Sequence, residues 1–139
     1  MKSILVPLDG SLLSEAVLPH VKEMASGLPA SIHLLTVISI TAPDREAYEE
    51  SVQLQSREAG DYLESQAEEL KASGLYADWS VREGIAADEI LQHIEENQFD
   101  LVAISTHGRS GLGRMVLGSV FDKVMRESGI PVLVINPAE

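Results

Sequence analysis

At 139 residues, 45% of them hydrophobic, the chain has the length of one domain and enough apolar surface to order a core, which excludes a disordered segment. Its net charge of −12 repels phosphate backbones and anionic bilayers, so nucleic acid and membrane surfaces are not expected partners. The absence of cysteine rules out disulfides, thiolate metal sites and a cysteine nucleophile. No apolar run approaches the roughly 18 residues of a membrane span. The short apolar start meets Asp9 too soon for a signal peptide, so a cytoplasmic location is expected.

Residues 3–8 form an apolar run with strand character, broken by Gly10 and Ser11. Ser11 is a suitable cap for a helix over residues 12–25, with Ala16, Val17, Val21 and Met24 as its inward stripe and Gly27 as its stop. Residues 31–38 read as a second strand. An acidic helix follows over residues 44–73, with Tyr48, Val52, Ala59, Leu63, Ala67 and Leu70 at mostly helical intervals and Gly74 as its end. Residues 76–82 are a third strand and residues 86–96 a helix that turns Ile90, Leu91 and Ile94 inward. Residues 100–106 are a fourth strand, residues 119–127 a helix and residues 131–135 a last strand. No repeat or linker interrupts this alternation, so residues 1–139 are read as one domain.

Strand and helix alternate along the chain, and the apolar runs lack strict period-two alternation, as in strands covered on both faces. The expected fold class is α/β: a single-domain, doubly wound, parallel five-stranded sheet with helices on both faces. Ligands of such sheets bind beyond the strand carboxyl ends, where the winding reverses. A strand order of 3-2-1-4-5 would bring Asp9, after the first strand, beside the loop that follows the fourth.

That loop stands out in charge and composition. Most of the 22 acidic residues lie between Asp44 and Asp100, and none lies from Leu101 to Phe121, a stretch that carries His107, Arg109 and Arg114. From Ser105 to Ser119 it holds Gly108, Gly111, Gly113 and Gly118. Glycines let backbone N–H groups approach an anion closely, and Gly118-Ser119 is placed to open a helix whose free amides and dipole favour a phosphate. Familiar nucleotide motifs do not fit. The spacing from Gly108 to Gly113 lacks the Lys-Ser/Thr of a P-loop, and the run from Gly111 lacks the third glycine of a dinucleotide fingerprint. The plain alternative is a surface loop whose glycines serve as turns.

Taken together, the residues resemble the universal stress protein family in its ATP-binding branch. The branch loop has the form Gly-x2-Gly-x9-Gly-Ser/Thr, matched here by Gly108, nine intervening residues and Gly118-Ser119, with Ser105 in place of the leading glycine. The resemblance extends to the opening Ile4-Leu-Val-Pro-Leu-Asp-Gly-Ser11, to Leu34-Leu-Thr-Val37, to Gly84-x-Ala-Ala-x-x-Ile90, to Asp100-Leu-Val102 and to Pro131-Val-Leu-Val134. It implies that Pro7 lines a base pocket, that Asp9 lies near a ribose and that Val37 meets adenine through its backbone. Ser105, His107, Gly108, Arg109, Ser110 and Gly111 would wrap the phosphates, with Gly118, Ser119 and Val120 completing the cradle. The implied ligand is ATP, or ADP or AMP. Mg²⁺ or Mn²⁺ would be held through the phosphates rather than by a protein metal site.

The implied function is a stress-related ATP-binding regulatory protein with an unknown protein partner. It would form a homodimer through the strand from Pro131 to Ile135, an edge that pairing would protect. No general base or catalytic residue stands out, so hydrolysis would be weak at most. A slow ATPase or phosphotransferase and a structural dimer without nucleotide are the alternatives. A pyrophosphatase-type α-hydrolase fails, because Pro7-Leu-Asp-Gly-Ser11 replaces its Ser-Gly-Gly-x-Asp-Ser loop. His20, His33 and His93 lie on separate elements without metal-ligand spacing and read as surface or satisfied core residues. Trp79 reads as packing, and the acidic helix as a solvated face.

Overall fold

The computed structural model describes residues 2–27, 29–106 and 112–137, and of residues 112–119 the backbone alone. In chain order the elements are β1 (Lys2–Pro7), α1 (Leu12–Glu15), α2 (Leu18–Ser26), β2 (Ala30–Ile38), α3 (Arg45–Ala72), β3 (Tyr76–Glu83), α4 (Ala86–Glu96), β4 (Leu101–Ser105), α5 (Leu112–Glu127) and β5 (Val132–Ile135). The five strands form one sheet in the order β3-β2-β1-β4-β5, and every pairing is parallel. This is the expected order.

Alternate residues of each central strand feed different cores. Ile4, Val6, Ile32 and Leu34 pack with Val17, Leu18 and Val21 near α2 and with Leu63, Ala67 and Leu70 of α3. Leu5, Leu35, Val102 and Ile104 pack on the other face with Ala87 and Ile90 of α4 and Val120 and Val124 of α5. The sheet is therefore the middle of three layers. The crossovers out of β1 and β2 cover one face, and those out of β3 and β4 cover the other. This change of side at β1 and β4 makes the switch point.

The long helix α3 is well delimited by local chemistry. Asp44 accepts a hydrogen bond from the Ala47 amide at 2.8 Å, capping the start. At the end, Gly74 takes φ +87°, with its N–H on the Lys71 carbonyl and that of Leu75 on the Leu70 carbonyl. This is the paired hydrogen-bond pattern that glycine permits past a helix end. Only the second half reaches the core: Gly60, Leu63, Ala67 and Leu70 are its buried residues. Tyr48 and Val52, expected in the stripe, are half-buried. Trp79 packs beneath α3, where a side chain at Gly60 would come within 3.1 Å of its ring.

Two expectations are corrected. The helix expected over residues 12–25 is two helices, α1 and α2, because Pro19 follows the break. Its missing N–H cannot bond the Glu15 carbonyl, and its ring obstructs a continuous helix there. The helix expected to open at Gly118-Ser119 instead begins at Leu112. Leu112, Val116, Val120 and Val124 recur every four residues, so the helical period runs back through both glycines without a proline to stop it.

Candidate functional site

All five strands point their carboxyl ends to one edge. There β1 runs out through Leu8 to Asp9, while β4 ends at Ser105. The Leu8 amide donates to the Leu35 carbonyl at 2.8 Å, and Thr36 Oγ1 donates back to the Leu8 carbonyl at 3.0 Å. These bonds bring Val37 alongside Asp9. Pro7 is buried beneath them, and Val37 is half-buried.

The turn after β1 holds the Asp9 carboxylate in place. Its Oδ1 accepts from the Ser11 amide at 2.9 Å and from Ser11 Oγ at 2.6 Å. The Asp9 amide in turn donates to Ser14 Oγ at 3.2 Å. Ser11 also caps α1 by accepting the Ser14 amide at 3.1 Å. Gly10 makes the tight turn with φ +89°, and a side chain there would meet no atom within 4 Å but would sit in a strained conformation. Aspartate and two serines therefore act as one unit that ends the strand, starts the helix and orients a carboxylate at the switch point.

That unit is braced from α3. Tyr62 Oη donates to Glu15 Oε2 at 2.5 Å. Burial, chiefly, and then the hydrogen bond to Glu15 and the charges of Glu15 and Asp9 push the Tyr62 hydroxyl well above the ordinary tyrosine range, so it stays a proton donor. Sequence reasoning missed this brace, since 47 residues separate the partners.

On the other side of the crevice, Ser105 is 1% exposed at the end of β4. Thr106 continues the strand: its amide donates to the Ile135 carbonyl at 2.9 Å and its hydroxyl to Asn136 Oδ1 at 3.1 Å. His107, Gly108, Arg109, Ser110 and Gly111, expected to wrap phosphates, lie outside the described residues. Gly118 and Ser119 lie inside α5, where backbone N–H groups beyond the first turn belong to the helix itself. They do not present the free amides expected of a helix start. Val120 is 5% exposed and belongs to the core beneath α5, so its side chain is committed to packing. The structure thus brings Pro7, Asp9, Val37 and Ser105 to one edge of the sheet and leaves Gly118 and Ser119 within a helix. A separate groove between α4 and α5 is lined by Asp88, Glu95, Glu96 and Glu127 with Lys123; its carboxylates suit an anion poorly.

The reading of the histidines as surface or satisfied core residues holds for His33 and His93, both of which are hydrogen-bonded. His33 and His93, distant in sequence, meet with their Nε2 atoms 3.1 Å apart, between β2 and α4. Among the described residues no group of three or more His, Asp or Glu could hold a metal ion. No described helix is long and apolar enough to cross a membrane.

Comparison with known proteins places the chain. The model of the universal stress protein family matches residues 1–136. The universal stress protein YxiE of Bacillus subtilis is 30% identical over 146 aligned positions, covering 96% of this chain and 97% of the relative. The solved structure of MJ0577 from Methanocaldococcus jannaschii superposes with a TM-score of 0.86 at 30% identity, covering 99% of this chain and 97% of the other. Two further structures share the fold. One is an Arabidopsis thaliana family member with AMP bound, with a TM-score of 0.74 at 17% identity over 99% and 93% of the two chains. The other is a universal stress protein in complex with cAMP, with a TM-score of 0.65 at 23% identity over 97% and 96%. With the fold, the switch-point carboxylate and a family match over nearly its whole length, this chain belongs to the universal stress protein family.

Proposed function

We propose that the chain is a stress-response protein that binds an adenine nucleotide, ATP by preference, at the carboxyl edge between β1 and β4. The observation that carries this reading is Asp9, oriented by Ser11 beside the end of β4. A carboxylate so placed can accept hydrogen bonds from ribose hydroxyls. Support comes from the two similar folds described with AMP and with cAMP. Pro7 and Val37 would flank the base, and Ser105, His107, Gly108, Arg109, Ser110 and Gly111 would surround the phosphates. A divalent ion such as Mg²⁺ or Mn²⁺ would arrive on the phosphate oxygens. For Gly118, Ser119 and Val120 to donate amides, the first turns of α5 must open. Gly113 and Gly118 favour this, since each weakens a helix by about 1 kcal/mol relative to alanine.

The test is to denature the purified protein, identify any released nucleotide by mass spectrometry, and titrate the stripped protein with ATP and Mg²⁺ by calorimetry. Asp9→Ala should weaken ATP more than inorganic triphosphate. Gly118→Ala should favour the closed helix and weaken ATP about fivefold, the scale of its helix preference. A stripped protein that takes up no ATP would sink the reading, and an unchanged affinity in Gly118→Ala would remove α5 from the site.

We also propose a homodimer that pairs the outer edges of β5 in two copies. Among the described residues β5 pairs with β4 alone, and all four of its residues are half-buried, as suits a strand awaiting a cover. Val134→Lys should yield monomers in light scattering; a dimer that persists would place the interface elsewhere.

A further inference from the structure

The side of the sheet under α4 carries a polar chain that the candidate site does not use. Its members come from three elements. Arg82 of β3 places Nη1 3.1 Å from His93 Nδ1 on α4. His93 Nε2 lies 3.1 Å from His33 Nε2 on β2. His33 Nδ1 lies 2.7 Å from Asp78 Oδ1 on β3, its partner in the strand register. Arg82 is itself held by Glu89 Oε1 at 2.9 Å and Glu96 Oε1 at 3.0 Å, both on α4. Phe99 closes the cluster, its ring centroid 5.6 Å from that of His33 and 5.7 Å from that of His93. His93 is 6% exposed.

With both rings neutral, the hydrogens have a single consistent arrangement. A guanidinium has only donors, so His93 Nδ1 must accept. His93 then carries its hydrogen on Nε2 and donates to His33 Nε2. His33 in turn carries its hydrogen on Nδ1 and donates to Asp78. A proton added to either ring breaks this chain. On His93 it would point an N–H at the Arg82 guanidinium. On His33 it would set two Nε2 hydrogens against each other, unless His93 changed tautomer and turned a donor toward Arg82.

The chain lies beside the apolar contact of α4. Ala87 and Ile90 pack toward Leu5, Leu35, Val102 and Ile104, whereas β3 meets α4 through Arg82. The start of α4 has no side-chain cap. It is preceded by Gly84, whose amide bonds the Ile38 carbonyl at the end of β2, and by Ile85, which is largely exposed.

We propose that Arg82, His93, His33 and Asp78 form an acid-sensitive latch: it closes α4 onto β2 and β3 when both histidines are neutral and opens when either takes a proton. The charged and titratable groups that face the pair are Asp78 and Arg82 from β3 and Glu89 and Glu96 from α4; Phe99, from the segment before β4, is uncharged. Burial, then the charges of His33 and Arg82, hold the His93 ring below the ordinary histidine range, in keeping with a neutral closed state. Opening would free α4 and the Gly84–Ile85 turn at the carboxyl edge of the sheet, making the shape of that edge depend on proton concentration.

The latch is tested on the intact protein in two ways. Long-range proton–nitrogen NMR of the histidine rings at pH 8 should find His93 protonated on Nε2 and His33 on Nδ1; any other tautomer pair overturns the proposal. Hydrogen exchange across residues 86–96, corrected for intrinsic rates, should lose at least about fivefold protection between pH 8 and pH 5, the scale of one lost buried hydrogen bond. The His33→Gln/His93→Gln protein, whose amides can still pair but do not titrate, should show less than half that loss. An equal loss in wild type and variant, or none in wild type, overturns the latch. Should the variant fold poorly, the ring tautomers and exchange of the wild type still decide the matter.

Discussion

The two faces of the sheet are closed by different chemistry. Under α3, Leu63, Ala67 and Leu70 lie on Ile32 and Leu34 in a wholly apolar contact. Under α4, the apolar contact of Ala87 and Ile90 is supplemented toward β3 by Arg82, His93, His33 and Asp78. Edge strand β3 shows the contrast within eight residues: Ala77, Trp79 and Val81 pack toward α3, while Asp78 and Arg82 serve the polar cluster. Apolar burial stabilises by removing surface from water and does not depend on protonation. A hydrogen-bonded cluster holds only while each donor meets an acceptor. The buried leucine and alanine contact under α3 is therefore indifferent to pH, whereas the histidine cluster under α4 is not.

The contrast can be broken most forcefully on the apolar side. Leu63→Ala should lower unfolding free energy by about 2–5 kcal/mol, as buried leucine truncations do. Urea titration followed by Trp79 fluorescence should give the same loss at pH 8 and pH 5. A loss that changes markedly with pH would mean that the two faces are coupled.

A smaller effect sharpens the polar side. His93 titrates lower in the folded chain than its ordinary 6.5, so below that value the unfolded chain binds more protons. Its contribution is present above pH 6.5 and is lost as pH falls from 6.5 toward the lowered value. Glu96, held below 4.5 chiefly by its bond to Arg82, loses its contribution in a lower range, as pH falls through and below 4.5. Stability should therefore decline between pH 6.5 and 5 in the wild type, with a shallower slope in His93→Gln. Equal slopes would assign the decline to other groups.

Much of this architecture was legible in the residues. The strands, the cap at Ser11 and the stop at Gly74 are local signals, and each appears within a residue or so of its expected place. The alternation of elements, with the family resemblance, pointed to the observed strand order. Pro19 was legible but overlooked, and it divides the first helix. The start of α5 was misplaced because glycines at 113 and 118 were weighed above the four-residue recurrence of Leu112, Val116, Val120 and Val124. In the candidate site, Pro7, Asp9, Val37 and Ser105 do converge on one edge of the sheet. The bracing of Asp9 through Ser14, Glu15 and Tyr62 was not foreseen, because Tyr62 reaches it from another layer.

The sequence alone determined the elements, the fold class and the family, because periodicity, capping and turn chemistry act between residues a few positions apart. Tertiary structure alone decided that Tyr62 would meet Glu15 and that His33 would face His93 across 60 positions. Such meetings depend on strand register and on which face each crossover covers. One histidine on a strand and another on a helix carry no mark of each other until the sheet has aligned Asp78 with His33 and α4 has been laid across them.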